Sequence, residues 1–240
     1  MASFTIKLKR RKKVAEDTVA FNLTKPSGFE FKTGQSVDLT LIKPAETDGK
    51  GNTRAFSLAS APYEKDLMIT TRMGNTAFKR IFNALPLDTP IGMEGPFGSM
   101  TLHNKIDRPG VFIAGGIGIT PFRSIVLQAA YEKRHQQLFL FYSNRRPEDA
   151  AFLDELREVE KENPDYRLIG VMTEMEKSSL QWDGEKGHIS KEMMNRYVSD
   201  MKQALFYVAG PPDMVSSIRK TLNGAGIDDD DIRSEEFSGY

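Results

Sequence analysis

The segment Gly115-Gly116-Ile117-Gly118-Ile119-Thr120-Pro121 follows the apolar run Val111-Phe112-Ile113-Ala114. A buried strand that runs into glycines and then into a helix start can hold a phosphate. Glycines let backbone N–H groups approach an anion with no Cβ in the way. The helix N-terminus adds unpaired donors and the positive end of a dipole. Thr120 can cap such a helix, and Pro121 suits its first position because its missing N–H would be unbonded there anyway. The segment is not a P-loop, since Gly-Lys-Ser/Thr is absent. Pro121 also stands where the usual dinucleotide fingerprint has its third glycine. The alternative is a tight strand-to-helix turn with no ligand.

Three later segments end strands or the chain on what should be the same sheet edge. Ser143-Asn144-Arg145-Arg146 follows an apolar run, where a dinucleotide's adenosine ribose would lie. Arg145 or Arg146 can pair there with a 2′-phosphate, or both can be surface arginines of a capping loop. Ala209-Gly210-Pro211-Pro212-Asp213-Met214 follows another run, and the chain ends Glu235-Glu236-Phe237-Ser238-Gly239-Tyr240. Other chemistries find little support. His103, His135 and His188 are scattered without metal-ligand spacing and read as surface or loop residues, so no metal site is expected. No Gly-x-Ser-x-Gly elbow occurs. Trp182 reads as a loop anchor packing on the second half.

The elements that must position these groups fall into two rhythms. The first half carries β-type runs at 3–9, 17–23, 36–42, 54–59, 66–72 and 91–95, separated by turn material such as Pro26-Ser27-Gly28. Six short strands suggest a small barrel or sandwich. A short helix is expected over Thr76–Leu85, with Phe78, Ile81, Phe82 and Leu85 at helical spacing. The second half alternates strand-like runs at 110–114, 138–142, 166–171 and 204–208 with helical patterns. These start at Pro121 and Pro147 and run over 190–201 and 212–223. That alternation predicts βαβ units and a parallel sheet covered on both faces. Domains over 1–104 and 105–240 are expected.

Composition narrows the function. The chain has 240 residues, 39% hydrophobic and 28% charged, which is globular composition. With no cysteine there is no disulfide framework, iron–sulfur cluster, thiolate zinc site or cysteine nucleophile. This fits a reducing, cytoplasmic compartment. The most apolar stretch, Val111–Tyr131, is interrupted by Arg123, Gln128 and glycines, whereas a membrane span needs about 20 largely apolar residues. No signal peptide is read at the N-terminus. Basic and acidic residues balance at 33 each, which argues against a nucleic-acid binder. The halves are unequal: residues 1–104 carry a net +5 and residues 105–240 a net −5. Much of the excess lies in Lys7, Lys9, Arg10, Arg11, Lys12 and Lys13, read as a solvated edge strand or as a docking patch for an acidic partner.

Together the segments resemble the ferredoxin–NADP⁺ reductase-like superfamily of flavin-dependent oxidoreductases. Arg54-Ala55-Phe56-Ser57 is similar to the family's Arg-x-Tyr-Ser signature, with Phe for Tyr. The glycine turn at 115–121 and Gly210-Pro211-Pro212-Asp213-Met214 are its second-domain counterparts. The resemblance implies a six-stranded antiparallel β-barrel that holds flavin, followed by an α/β domain with a five-stranded parallel sheet that holds the nicotinamide nucleotide. It implies FAD rather than FMN, and NAD(P)H as substrate. Arg54 would clamp the flavin phosphates, Phe56 would stack on the ring and Ser57 would approach the ring's N5. Thr70-Thr71-Arg72 and Gly74-Asn75-Thr76-Ala77 resemble the second flavin segment, with Thr76 as N-cap of the short helix. Pro96-Phe97-Gly98-Ser99 resembles the turn ending the barrel. Gly116, Gly118, Ile119, Thr120 and Pro121 would meet the pyrophosphate, and Ser143 to Arg146, Ala209, Gly210, Pro211 and Met214 the rest of the nucleotide. Glu235 and Phe237 match the family's Glu-x-aromatic ending, and Phe237 or Tyr240 would cover the flavin. Ala209 departs from the family, which commonly has cysteine there. The implied activity is hydride transfer from NAD(P)H to flavin, with electrons passed to a separate acceptor such as an acidic ferredoxin or flavodoxin. A flavin-binding subunit active only within a complex is the runner-up, and a flavin-free nucleotide-binding module is a third reading.

Overall fold

The computed structural model describes residues 2–237. Its first half holds strands β1 (Ala2–Ala15), β2 (Thr18–Leu23), β3 (Ser36–Leu41), β4 (Thr53–Ser57), β5 (Leu67–Arg72) and β6 (Pro90–Phe97), with helix α1 (Ala77–Ala84) between β5 and β6. These form one antiparallel sheet in the order β4-β3-β6-β1-β2-β5. Alternate residues of each strand, such as Ile6 and Leu8, Phe21 and Leu23, or Val37, Leu39 and Leu41, point inward and are buried. Beyond β4, Ala59 donates to the Met68 carbonyl of β5 at 2.7 Å, which draws the two sheet edges together into a barrel. Phe78 and Phe82 of α1 plug it, while Ile81 and Leu85 are only half-buried.

The basic run lies on β1, which stands between β6 and β2 in the sheet order but pairs with β6 over its first half, through Lys7, and with β2 over its second, from Leu8 to Ala15. Its N-terminal half alternates apolar and polar residues because it faces the core, a pattern the charges downstream obscure. From Lys9 onward β1 pairs with β2 alone, so the basic stretch keeps the open side of an edge strand, and there Arg11 donates to the Leu85 carbonyl.

The second half holds β7 (Gly110–Gly115), β8 (Leu138–Asn144), β9 (Tyr166–Met172), β10 (Glu185–Lys186), β11 (Leu205–Gly210) and β12 (Ile232–Glu236), in the order β10-β9-β8-β7-β11-β12 and all parallel. The parallel sheet therefore has six strands rather than the expected five. The addition is β10, two charged residues with no apolar run to announce them. Helices α2 (Ile119–Tyr131) and α3 (Leu153–Glu162) cover one face, and α4 (Lys191–Tyr197) and α5 (Pro212–Gly224) the other. β7 and β11 are buried at every residue, as central strands of a doubly covered sheet must be. The expected helix at Pro147 is a single 3₁₀ turn over Pro147–Asp149, and α3 begins only at Leu153 after Phe152 takes a left-handed φ of 62°. The chain runs β7-β8-β9-β10 in one direction and returns to add β11 and β12 on the other side of β7. The order thus reverses between β7 and β11, where open α/β sheets form their ligand crevice.

Candidate functional site

Both loops at that reversal are built around glycine. The turn Gly116–Gly118 is a 3₁₀ turn leading into α2, and Gly116 has φ of 50°, a backbone state that glycine adopts without strain. A Cβ on Gly118 would overlap the Ala209 carbonyl, so the turn and the end of β11 touch backbone to backbone. A Cβ on Gly115 would meet the Met214 thioether and Pro211. These glycines are needed for the two loops to pack on each other, apart from any ligand. Thr120 does not cap α2. Gly118 takes the cap position, and the Thr120 hydroxyl donates to the Ile117 carbonyl at 3.1 Å from within the first turn. Pro121 is accordingly the third helical residue rather than the first. The helix starts earlier because the 3₁₀ turn feeds directly into it. Ile119, Thr120 and Pro121 are all buried.

The turn lies close to β5 of the first half, the strand that ends in Thr70-Thr71-Arg72. Thr70 Oγ1 and Ser57 Oγ are both buried and have no hydrogen-bond partner. Two orphaned, buried hydroxyls suit the polar edge of a bound ring system. Thr71 instead donates to the Arg72 carbonyl. Arg54 and Phe56 share one face of β4, with Ala55 exposed on the other, as strand alternation requires. Phe56 packs against Phe78 at 5.8 Å and Phe82 at 6.3 Å, leaving the ring half-buried.

Positive charge collects at the start of α1. Thr76 caps that helix by accepting from the Lys79 amide at 3.3 Å, Gly74 and Asn75 precede it exposed, and Ala77 is buried. Burial, and then the neighbouring Arg72, lower the Lys79 pKa. The Arg54 guanidinium lies over the Phe78 ring at 5.3 Å. Phosphates fit this arrangement, but one carboxylate already occupies it. Asp48 accepts from Arg54 at 2.7 Å and from the Lys50 amide at 3.0 Å. The Lys50 amide bond, more than Arg54 or the Ala77 amide, holds its pKa below the ordinary range against a modest opposing effect of burial. Glu46 pairs with Arg80 at 2.7 Å beside it. A small cleft of about 440 Å³ runs between this acidic loop and Asn75–Ala77.

The remaining predicted residues sit at strand ends. Asn144 is buried with its side-chain amide unpartnered, and Ser143 is half-buried. Arg145 is exposed, 3.9 Å from Glu174. Arg146 is committed elsewhere: it holds Asp149 at 3.0 Å and pairs with Glu16 of the first half. Of the two arginines, Arg145 is the more exposed and the more loosely paired. Glu235 stands in register with Ala209, which itself pairs with Ala114. Burial pushes the Glu235 carboxyl above its usual range. Phe237 donates its amide to the Gly210 carbonyl at 2.9 Å and packs on the apolar cluster over β7 and β11. Tyr240 lies outside the described residues.

A much larger cleft, about 1280 Å³, has Arg10, Lys12 and Lys13 on one wall and Asp154, Glu155 and Trp182 on the other, and none of the predicted site residues lines it. Trp182 does anchor its loop, donating to the Glu185 carbonyl at 2.9 Å under Arg157. His135 and His188 are exposed, but His103 is buried against Tyr207. Sequence reasoning missed three polar groups: Asp48, His103, and Arg123 with its carboxylate partners Glu64 and Glu155. Only Arg123 left a signal, as a lone charge in an otherwise apolar helix.

A family model described as the oxidoreductase NAD-binding domain matches residues 112–220. The reductase component of propane 2-monooxygenase from Rhodococcus jostii is 27% identical over 94% of this chain and 61% of its own length. The glycine betaine monooxygenase reductase subunit of Chromohalobacter salexigens is 26% identical over 92% of this chain and 60% of its own. The chain thus spans about three-fifths of the length of these curated relatives. Among solved structures, a ferredoxin NADP⁺ reductase from Neisseria gonorrhoeae with bound FAD and NADP superposes with a TM-score of 0.81, at 22% identity, over 98% of both chains. An Amycolatopsis cytochrome P450 reductase gives 0.82 at 22% identity over 98% of this chain and 70% of its own.

Proposed function

We infer that this chain is a member of the ferredoxin–NADP⁺ reductase-like superfamily, a flavin-dependent oxidoreductase that takes reducing equivalents from NAD(P)H and passes electrons to a separate acceptor. The observation that carries this is the approach of β5 of the barrel to the glycine turn of the parallel sheet, together with the buried, unpartnered hydroxyls of Ser57 on β4 and Thr70 on β5. A bound flavin, FAD in our reading, would supply the hydride-accepting and single-electron chemistry.

The chain's own part is binding, orientation and exclusion of water. Arg54, Arg72 and the α1 N-terminus offset phosphate charge, and Ser57 and Thr70 offer hydroxyls to the ring. Phe56 closes one side as an aromatic wall. The Gly116–Pro121 turn, with Ala209, Gly210, Pro211 and Met214, holds the nicotinamide half of the nucleotide. Ser143, Asn144 and Arg145 lie where its adenosine half would extend. Glu235, at the end of β12, is a carboxyl whose proton burial favours, and Phe237 covers the junction. Gly118, lacking a Cβ, lets the turn and the backbone of Ala209 on β11 touch without a side chain between them.

The relatives' names as reductase components favour an acceptor outside this chain, and the +5 charge of residues 1–104 favours an acidic one such as a ferredoxin or flavodoxin. Among the described residues no helix is long and apolar enough to cross a membrane. The absence of cysteine supports a cytoplasmic setting. The test is anaerobic stopped-flow bleaching of the flavin-loaded protein with NADH and with NADPH. Rapid bleaching by at least one is expected, and none by either overturns the assignment.

A further inference from the structure

We propose that Arg123 is a positioning residue for hydride transfer, a buried joint that fixes the flavin-bearing strand of one half against the nucleotide-bearing turn of the other. The proposal rests on the activity inferred above. Arg123 lies on α2, three residues beyond Thr120, and its side chain is only 3% exposed. All five of its N–H donors are used. Nε and Nη2 take the two oxygens of Glu155 on α3, at 2.8 and 2.6 Å. Nη1 and Nη2 take the two oxygens of Glu64, at 2.9 and 3.2 Å, and Nη1 also donates to the Ala59 carbonyl at 2.6 Å. The Phe152 ring lies 5.0 Å from the guanidinium carbon.

The positions of these partners matter more than their number. Ala59 is two residues beyond Ser57 on the flavin strand, and Glu64 is on the loop that follows, bracing it by accepting from the Ala61 amide at 2.6 Å. The next residue on α2 repeats the connection, since Ser124 donates to the Ser60 carbonyl at 2.7 Å with both residues wholly buried. The residues after Ser57 and the residues after the glycine turn are therefore tied directly to each other. Burial works against the charge on Arg123, yet the hydrogen bonds of Glu155 and Glu64 hold its pKa above the ordinary arginine value.

A buried ion cluster is weak evidence for stability, because well-packed apolar side chains often serve as well. A planar fork held at every donor does fix direction, and a lysine cannot reproduce it. Direction is what hydride transfer demands, since a misplacement of about 1 Å can cost on the order of 100-fold in rate. The halves keep other ties when the joint is changed. Glu16 donates its amide to the Glu148 carbonyl at 2.8 Å, and Tyr63 stacks on Tyr131 at 4.3 Å. Loss of the fork should therefore shift the halves rather than part them.

The experiment compares flavin-loaded wild type with Arg123→Lys and Glu155→Gln. It measures the melting temperature, the flavin spectrum, the nucleotide Kd, the rate of flavin reduction and the long-wavelength charge-transfer absorbance between the two rings. In Arg123→Lys we expect reduction about 10- to 100-fold slower with a weakened charge-transfer band, while the flavin spectrum and nucleotide Kd stay near wild type. Glu155→Gln, which keeps the guanidinium and loses one charge, should slow reduction by less and carries the test if the lysine variant does not fold. Reduction at the wild-type rate in a folded variant overturns the proposal, as does a rate lost only in step with flavin content or nucleotide affinity. Failure of the wild type itself to be reduced overturns the activity assignment first, and this proposal with it.

Discussion

Ser57 has a buried hydroxyl and no partner, which is an unfavourable arrangement by itself. Leaving a buried polar group unpaired costs about 1–3 kcal/mol. Replacing Ser57 by alanine should therefore leave the flavin-free protein melting no lower than wild type, while slowing reduction of the loaded protein. A clear drop in the flavin-free melting temperature would mean that the hydroxyl has a structural partner. Asp48 poses the opposite case, a carboxylate seated where phosphates are expected. Asp48→Asn should tighten flavin binding several-fold, read by fluorescence quenching as the apoprotein is titrated. Unchanged or weaker binding would show that the carboxylate and the phosphates do not compete. Arg54 and Ser57 were legible because they share a five-residue strand whose alternation fixes their faces. Asp48 was not, because a loop without periodicity brings it back onto Arg54.

At the scale of elements, apolar periodicity located the strands of the barrel and the four long strands of the parallel sheet to within a few residues, except that β1, expected over 3–9, runs on through the basic residues to Ala15. It failed where burial was not the cause of the structure. β10 is two charged residues held by backbone pairing to β9, and the start of α2 is set by a 3₁₀ turn rather than by Thr120. The glycines of that turn predict an order of damage. A Cβ on Gly118 meets the Ala209 backbone, which cannot move without disturbing β11, whereas a Cβ on Gly115 meets mainly the flexible end of Met214. Gly115→Ala should cost about 1–3 kcal/mol, in the ordinary range of overpacking, and Gly118→Ala distinctly more. Denaturant melts of both variants give the comparison, and equal losses would show that β11 yields as easily as a thioether.

A buried histidine just before the expected boundary ties the end of the first half to the second. His103 Nδ1 lies 2.8 Å from the Tyr207 hydroxyl and Nε2 lies 2.8 Å from the Gln136 side-chain nitrogen, while the Arg134 side chain donates to the His103 carbonyl at 2.7 Å. Met100 and Leu102 pack on the same cluster as β7 and β11. These residues precede the expected boundary and touch both halves, since the Met100 carbonyl also lies against Gly34 of the barrel. Nothing in the sequence marked them, because a short polar stretch containing a histidine looks like a linker until its partners, up to 104 residues away, are brought together. Burial, more than the charges of Arg108, Arg134 and Arg233, pushes the imidazole pKa below its ordinary value. The folded protein therefore holds His103 neutral while the unfolded chain protonates it near pH 6.5. The unfolded state then binds more protons, so this contribution to stability is complete above pH 6.5 and falls away as pH drops through the lowered pKa. Wild type should lose more melting temperature between pH 7 and pH 5 than His103→Gln, although the variant starts lower at pH 7. Parallel pH profiles would show that His103 is protonated alike in both states. A second-half fragment beginning at Ser99 should also melt above one beginning at Lys105, which leaves Tyr207 and Gln136 without their buried partner. If the two fragments melt together, the segment before Lys105 belongs to the barrel after all.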